Sequence, residues 1–375
     1  MSAPASAGGA ATPAATAALA ARQATAEFYR PGWDGLSMAS IGLGTYLGEP
    51  NAATDAGYMA AVRRYWQLGG NLVDSAINYR FQRSERAIGA ALQAALAAGD
   101  ITRDEVVLCT KGGYISFDGG WPADPEAWVR QTIIDTGLAQ ANDIIDGQCM
   151  APAYLRHQIA QSRANLQVDC IDLYYLHNPE SQLPAVGAAL FRERLREAFA
   201  TLEVAVSQGH VRAYGAATWN GLRAAPGAAD YLSLESLLEA ARDVSGDRHH
   251  FRAVQLPFNL RLLEAAASRN QPGQQGLAPL LQVAAEHDIA VIASAALMQS
   301  QIIGRLPEAM WARFEPGLTD AQRGLQFARS APGMSAALAG MSRVAHVEEN
   351  LGLRGVPRMP AAAWHGVLKI GQPAG

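Results

Sequence analysis

The sequence alternates eight times between a short apolar run and a longer helix-like stretch, starting near residue 40. The apolar runs, such as EVVLCTK and DIAVIAS, are continuous instead of alternating with polar residues, as is typical of strands buried on both faces. The stretches between them repeat apolar residues at helical spacing, as Ile88, Leu92 and Leu96 do. Eight strand–helix units in one chain predict an α/β fold of the closed (β/α)8 barrel type.

An open, doubly wound sheet is the alternative architecture for such an alternation. That fold binds a dinucleotide through a G-x-G-x-x-G turn placed directly between a strand and a helix. The stretch GLGTYLG after the first strand lacks this glycine spacing, and no helix follows it at once. The sequence therefore favours the closed barrel.

Composition limits the partners. A net charge of −4 with no basic run argues against nucleic-acid binding, and no apolar run approaches the roughly 18 residues of a membrane span. The cysteines Cys109, Cys149 and Cys170 are odd in number, which fits a reducing, cytoplasmic location. The histidines lack the paired helical spacing of metal ligands, so we expect no metal site.

Residues 1–22 consist almost entirely of Ala, Ser, Gly, Thr and Pro. A secretory signal would need a basic start and a Leu-rich centre, and this segment has neither. A segment of this composition has little apolar surface to bury. We expect a disordered leader over residues 1–25, followed by a single barrel domain over residues 26–375.

Two segments are too long to be plain connections. One extends from Gly112 to about Met150, and the other from Gln299 to Gly317. In a barrel both would leave the carboxyl-end rim, where active sites are built. Their tryptophans Trp121 and Trp311, together with Trp219 beyond the fifth strand, are candidate walls of a substrate pocket.

Three consecutive strand candidates end in ionisable residues. Asp74 and Tyr79 close the second, Lys111 the third and His177 the fourth. Each alone has an ordinary explanation: the aspartate as a helix cap, the lysine as a solvated charge, the histidine as a rim residue. A barrel, however, brings neighbouring strand ends together at one mouth.

Together these side chains would form an acid–base unit. A tyrosine hydroxyl has an ordinary pKa of about 10, which a nearby ammonium lowers. Asp74 would keep Lys111 charged, Lys111 would lower the pKa of Tyr79, and His177 would orient a carbonyl oxygen. This predicts a general acid that protonates a carbonyl while a nicotinamide supplies hydride.

The motifs D-S-A-I-N-Y, L-C-T-K and Y-Y-L-H-N-P resemble those of the aldo-keto reductase superfamily, in order and over about residues 36–355. The resemblance implies a (β/α)8 barrel and NADPH-dependent reduction of a small carbonyl compound. It also implies that Tyr79 is the acid/base, that Lys111 and Asp74 tune it, and that His177 orients the substrate.

The resemblance also implies a cofactor site across the barrel mouth. Arg343 and Ser342 would meet a phosphate at a helix N-terminus, which favours NADP over NAD. Gln255 would bind the carboxamide. Tyr46 would also contact substrate. The full set of implied cofactor contacts is Gly44, Thr45, Tyr46, Asp74, Ala217, Thr218, Gln255, Ser294, Leu297, Gln299, Gly340, Ser342, Arg343, His346, Glu349 and Asn350.

Three positions depart from the family pattern. Ala217 and Thr218 stand where Ser-Asn commonly holds the carboxamide, and Ser294 stands where an aromatic ring usually stacks on the nicotinamide. A carbonyl reductase is the leading hypothesis. The second is a redox-neutral dehydratase, isomerase or epimerase that reuses the same four residues. The third is a cofactor-sensing binding module, for which all four ionisable residues would be unnecessary.

Overall fold

The computed structural model describes residues 7–23, 27–305 and 308–371 of the chain. Eight parallel strands close into a barrel in which each strand pairs with the next in the chain, and the eighth pairs with the first. The predicted (β/α)8 fold is confirmed. The strands β1–β8 are Ile41–Gly44, Leu72–Asp74, Val107–Gly112, Ile171–His177, Val211–Ala217, Phe251–Pro257, Ala290–Ser294 and Met334–Gly340.

A helix follows each strand and packs on the outside of the barrel. These helices, α1–α8, are Ala52–Gln67, Arg83–Ala98, Pro152–Leu166, Leu183–Ser207, Leu234–Ser245, Leu280–Glu286, Asp320–Ser330 and Val344–Leu351. A further helix, Ala361–Gly371, lies near the C-terminus.

Local chemistry sets the helix ends. Asn51 caps α1 by accepting a hydrogen bond from the backbone of Thr54, and α2 ends at Gly99 with a φ of 71°. Ser84 has the residue type of a cap for α2, but its hydroxyl donates to the carbonyl of Thr45 at 2.7 Å. Ser84 thus ties the start of α2 to the end of β1.

Side chains from the seven strands β2–β8 fill the barrel interior, and the N-terminal hairpin Tyr29–Pro31/Ser37–Ala39 closes its amino end. Trp33 of the hairpin connection and Ala11 are buried in the same cluster as Leu173 and Tyr175. Within the described residues, the amino end of the barrel is therefore sealed, and its carboxyl end is open to a ligand.

The N-terminal segment differs from the expected disordered leader. Residues Pro13–Gln23 form a helix, and Ala11 donates a 2.6 Å hydrogen bond to the buried carboxylate of Asp172. Thr16 is fully buried and accepts from the backbone of Ser37. Small residues can pack this closely against the closed end of the barrel, so residues 7–23 are ordered. Residues 1–6 and 24–25 lie outside the described residues, and the domain division at residue 25 stays a prediction.

The long segments carry small elements of their own. Between β3 and α3 lie the short helix Pro125–Val129, the π-helical turn Arg130–Ile134 and the hairpin Ile144–Ile145/Gln148–Cys149. The short helix Glu264–Ala267 and the hairpin Gln271–Gly273/Gly276–Ala278 follow β6. The short helix Glu308–Trp311 follows β7. In the described part of the chain, no helix combines the length and apolarity that crossing a membrane requires.

Candidate active site

Asp74 and Tyr79 reach the barrel mouth by different routes. Strand β2 ends at Asp74, and Tyr79 lies in the turn 77–82 that leads to α2, so the prediction that Tyr79 closes the strand is wrong. Arg80, Phe81 and Gln82 all have positive φ values, between 49° and 69°. These three residues in the left-handed region form the end of the turn, directly before α2 starts at Arg83.

A buried ion pair underlies the tyrosine. The ammonium of Lys111 pairs with Oδ1 of Asp74 and donates a 2.7 Å hydrogen bond to the carbonyl of Ser75. The same nitrogen lies 4.9 Å from the centre of the Tyr79 ring. Gln255 donates to the other carboxylate oxygen of Asp74 at 2.9 Å. The structure thus brings three of the four predicted catalytic residues into one contact network.

Burial and charge oppose each other at Tyr79. Burial raises the pKa of the hydroxyl, and the charge of Lys111 lowers it by less, so the pKa is raised overall. The prediction of a lowered pKa is wrong, because burial raises the pKa of Tyr79 by more than the charge of Lys111 lowers it. For Lys111, burial lowers the pKa, but Asp74 and Tyr79 together raise it by more, so the pKa is raised overall. Lys111 is therefore charged and Tyr79 protonated at neutral pH.

His177 is the fourth member of the group. Its ring centre lies 5.9 Å from that of Tyr79 and 5.0 Å from that of Tyr114. Burial, together with the charge of Lys111, holds its pKa well below the ordinary range. The buried Nδ1 has no hydrogen-bond partner among the described residues. His177 is a neutral imidazole with unused hydrogen-bonding capacity.

A cavity of about 540 Å³ opens at this mouth, within the size range of small-molecule sites. Asp74, Tyr79 and His177 line it. It is also lined by these predicted cofactor residues: Gly44, Thr45, Tyr46, Ala217, Thr218, Gln255, Ser294, Leu297, Gln299 and Gly340. The sequence did not single out the lining residues Leu47, Asn78, Tyr114, Asn178, Ala295, Ala296, Ser300, Leu338 and Ala339. Tyr114 and Asn178 follow Lys111 and His177 closely in the chain, and that proximity was the available signal.

Two polar side chains at the predicted nicotinamide end of the cavity differ in their hydrogen bonding. Thr218 is buried, and its hydroxyl has no partner in the described part of the chain. Gln255, predicted to hold the carboxamide, already donates its amide to Asp74. Thr218 is therefore the better placed of the two to bind a polar group in the cavity.

The predicted adenosine-end residues lie along α8 and just before it, outside the lining of the cavity. Arg343 is at the N-cap position of this helix, with its guanidinium 2.6 Å from Nε2 of His346. Glu349 accepts a hydrogen bond from Thr319, and Oδ1 of the buried Asn350 has no partner within the described ranges. Ser342 directly precedes the N-cap residue. A helix N-terminus with an exposed arginine suits a phosphate.

The four aromatic residues predicted for the substrate pocket divide into two groups. Tyr46 and Trp219 line the cavity and are about half exposed, at 57% and 49%. Trp121 packs against Phe81 and Phe117, and Trp311 packs against Arg323; neither tryptophan lines the cavity. Each sits on a long rim segment whose course the sequence does not reveal.

Among the described residues, no cluster of His, Cys, Asp and Glu side chains could hold a metal ion. The site instead consists of a tyrosine, a lysine–aspartate pair and a neutral histidine at the carboxyl end of a barrel. This defines a (β/α)8 barrel protein with an acid–base site at its mouth.

The chain belongs to the Aldo/keto reductase family, whose sequence profile matches residues 40–305. It is similar to the D-threo-aldose 1-dehydrogenase of Pseudomonas sp, with 29% identity over 183 residues, 48% of this chain and 50% of that protein. It is also similar to the 6-dehydroglucose reductase of Novosphingobium aromaticivorans, with 29% identity over 50% of each chain. The matched region thus spans about half the length of these relatives.

Solved structures share the fold. An aldo/keto reductase from Klebsiella pneumoniae in complex with NADP and acetate superposes with a TM-score of 0.60 and 20% identity, covering 93% of this chain and 96% of that one. The holo form of an aldo-keto reductase from Bacillus halodurans gives a TM-score of 0.63 and 18% identity, over 93% and 97%. At this identity the likeness shows the barrel architecture alone.

Proposed function

We propose that this protein is an NADP-dependent oxidoreductase that reduces a small aldehyde or ketone to an alcohol. The observation that carries this proposal is the contact network of Tyr79, Lys111 and Asp74, with His177 on the wall of the same cavity. The names of the related reductases and dehydrogenases support it.

The residues present fit a nicotinamide dinucleotide. The cavity is large enough for the reactive end of such a molecule, and the unpartnered hydroxyl of Thr218 would hydrogen-bond a polar group there. The N-terminus of α8, with Ser342 and Arg343, would hold a phosphate. When bound, the cofactor supplies the hydride. Two solved structures of aldo-keto reductases from Klebsiella pneumoniae that share this fold are complexes with NADP and with NADPH, which supports this assignment.

The protein's own residues would manage the proton. Burial keeps Tyr79 protonated at neutral pH, so its hydroxyl can donate to the oxygen of a carbonyl in the cavity. Lys111, kept charged by Asp74, would stabilise the phenolate that forms. The neutral His177 would donate a hydrogen bond to the same carbonyl oxygen and hold it next to the hydroxyl.

The preference for NADP rests on Arg343, whose guanidinium would bind the additional phosphate. NAD is the alternative, and one similar relative is an NADH-specific methylglyoxal reductase of Escherichia coli, with 27% identity over 48% of this chain. A cytoplasmic location is part of the proposal, supported by the three free cysteines.

A redox-neutral reaction is the second candidate. Two features favour it: Ser294 offers no ring for stacking on a nicotinamide, and the amide of Gln255 is already engaged by Asp74. A dehydratase, isomerase or epimerase would use Tyr79 and His177 for proton transfer alone.

The test is to mix the purified protein with NADPH and a panel of aromatic, aliphatic and sugar carbonyls, and to follow the absorbance of the reduced nicotinamide. We expect turnover with at least one carbonyl. Tyr79→Phe should lower kcat by several orders of magnitude and leave thermal stability nearly unchanged, because it removes a proton source and little volume. Absence of both NADPH binding and turnover across the panel would reject the proposal.

A further inference from the structure

Glu180 is a buried carboxylate that the proposed reaction does not use. It lies in the turn after β4, three residues beyond His177, and only 3% of it is exposed. It does not line the cavity. The described residues include no cation paired with it, and its Oε2 has no hydrogen-bond partner among them. Burying a carboxylate in this way is unfavourable unless its partners compensate.

The partners of Glu180 are backbone groups of the loop after β5. Its Oε1 accepts hydrogen bonds from the backbone N–H groups of Trp219, Asn220 and Gly221, at 2.7, 3.2 and 3.3 Å. Three converging N–H groups are a strong site for an anion. The side chain of Glu180 therefore fills this anion site and fixes the course of the loop.

Gly221 allows the close approach of the glutamate. A Cβ atom at this position would lie 2.9 Å from Cβ of Glu180 and 3.1 Å from its Cγ. The side chain of Glu180 thus lies directly against the backbone of the loop. Within the same loop, Arg223 donates to the carbonyl of Trp219 at 3.0 Å, so both backbone polar groups of Trp219 are hydrogen-bonded.

The loop carries two residues of the cavity wall. Thr218 and Trp219 both line the cavity, and the Trp219 side chain is half exposed, with little packing of its own to fix it. We propose that Glu180 is a positioning residue that fixes Trp219 as a wall of the substrate cavity and thereby sets the affinity for the carbonyl substrate. This proposal rests on the proposed reductase function.

Three variants of Glu180 separate the effect of side-chain length from the effect of charge. Glu180→Gln keeps an oxygen at the same reach, so the three N–H groups keep their acceptor. Glu180→Asp keeps the charge but is one methylene shorter, and Glu180→Ala has neither. We expect Glu180→Ala and Glu180→Asp to raise KM for the carbonyl about tenfold or more while kcat changes less than threefold, whereas Glu180→Gln stays near the wild-type KM.

A second measurement reports on Trp219 without any turnover. The seven tryptophans can be labelled with 5-fluorotryptophan, and Trp219→Phe identifies the ¹⁹F resonance that belongs to this position. That resonance should shift or broaden in Glu180→Ala and Glu180→Asp and stay in place in Glu180→Gln. If Glu180→Ala does not fold, Glu180→Asp carries the same expectation.

The outcomes distinguish this proposal from the reductase function. If the wild-type protein turns over no carbonyl, the function fails, and the ¹⁹F resonance alone decides the role of Glu180. An unchanged Trp219 resonance in both Glu180→Ala and Glu180→Asp would overturn the positioning role. The same conclusion would follow if Glu180→Gln perturbed KM and the resonance as strongly as Glu180→Ala.

Discussion

The amide nitrogen of Gln255 lies 2.9 Å from Oδ2 of Asp74, although the two residues are 181 positions apart in the chain. The other oxygen of Asp74 pairs with Lys111, so both carboxylate oxygens have partners inside the barrel. Burial raises the pKa of Asp74, while Lys111 and Gln255 lower it. Gln255 thus supports the charge on which the state of Lys111 depends.

Gln255→Leu tests this support. The substitution removes one partner of a buried carboxylate, so we expect the free energy of unfolding to fall by about 1–3 kcal/mol at neutral pH. Urea denaturation measures it. Thr218→Val is the matched control, because it removes a buried hydroxyl on the same cavity that has no partner within the described ranges. Equal losses of stability in both variants would show that Gln255 contributes only packing.

Lys111→Met should destabilise the protein as well as impair turnover. It leaves Asp74 buried without its cation, and breaking a buried pair in this way typically lowers stability by about 3–5 kcal/mol. The double variant Asp74→Asn/Lys111→Met removes the unpaired charge and should recover most of that loss. Denaturant unfolding of the single and double variants measures the difference. A double variant less stable than Lys111→Met would contradict this account of the pair.

The sequence predicted the barrel and three of its four strand-end residues because both follow from simple rules. Continuous apolar runs indicate buried strands, and the carboxyl ends of parallel strands meet at one rim. Asp74, Lys111 and His177 therefore came together as expected. Tyr79 was placed on the wrong element, because the left-handed turn after it has no glycine to mark it.

Other features depend on contacts that no local pattern reveals. The raised pKa of Tyr79 follows from how deeply the folded chain buries the hydroxyl, and burial can be read only from the structure. The order of the N-terminal segment depends on Asp172 and Arg212, both of which bind Ala11 from more than 150 positions away. Its composition alone predicted disorder.

Docking of the N-terminal helix can be tested with Thr16→Val. The hydroxyl of Thr16 accepts from the backbone N–H of Ser37, and valine would leave that partly buried donor without a partner. We expect the free energy of unfolding to fall by about 1–2 kcal/mol in urea denaturation. Thr16→Ser keeps the hydroxyl and serves as the control. Wild-type stability of Thr16→Val would mean that the helix is not bound to the hairpin in solution.

His177 should make stability depend on pH. Its folded-state pKa lies well below the unfolded value of about 6.5, so below that pH the unfolded chain takes up a proton that the folded chain does not. The contribution is therefore present above about pH 6.5 and is lost as the pH falls, by about 1.4 kcal/mol per unit. Between pH 7.5 and 5.5, the free energy of unfolding of the wild type should fall by about 1.4 kcal/mol more than that of His177→Gln. His365→Gln, at an exposed position, should follow the wild type; a His177→Gln profile parallel to wild type would contradict the prediction.

Arg343 should decide which dinucleotide the protein prefers. A charge-assisted hydrogen bond to a phosphate contributes about 1.5–3 kcal/mol, so Arg343→Ala should raise the Kd for NADPH by roughly 10- to 150-fold. The Kd for NADH, which lacks the additional phosphate, should change little. Calorimetric titration of both cofactors measures the two constants. Arg64→Ala is the control, because Arg64 pairs with Glu348 of the same helix. Its loss should leave the ratio of the two Kd values unchanged. Equal weakening of NADPH and NADH in Arg343→Ala would mean that Arg343 does not contact the phosphate that distinguishes them.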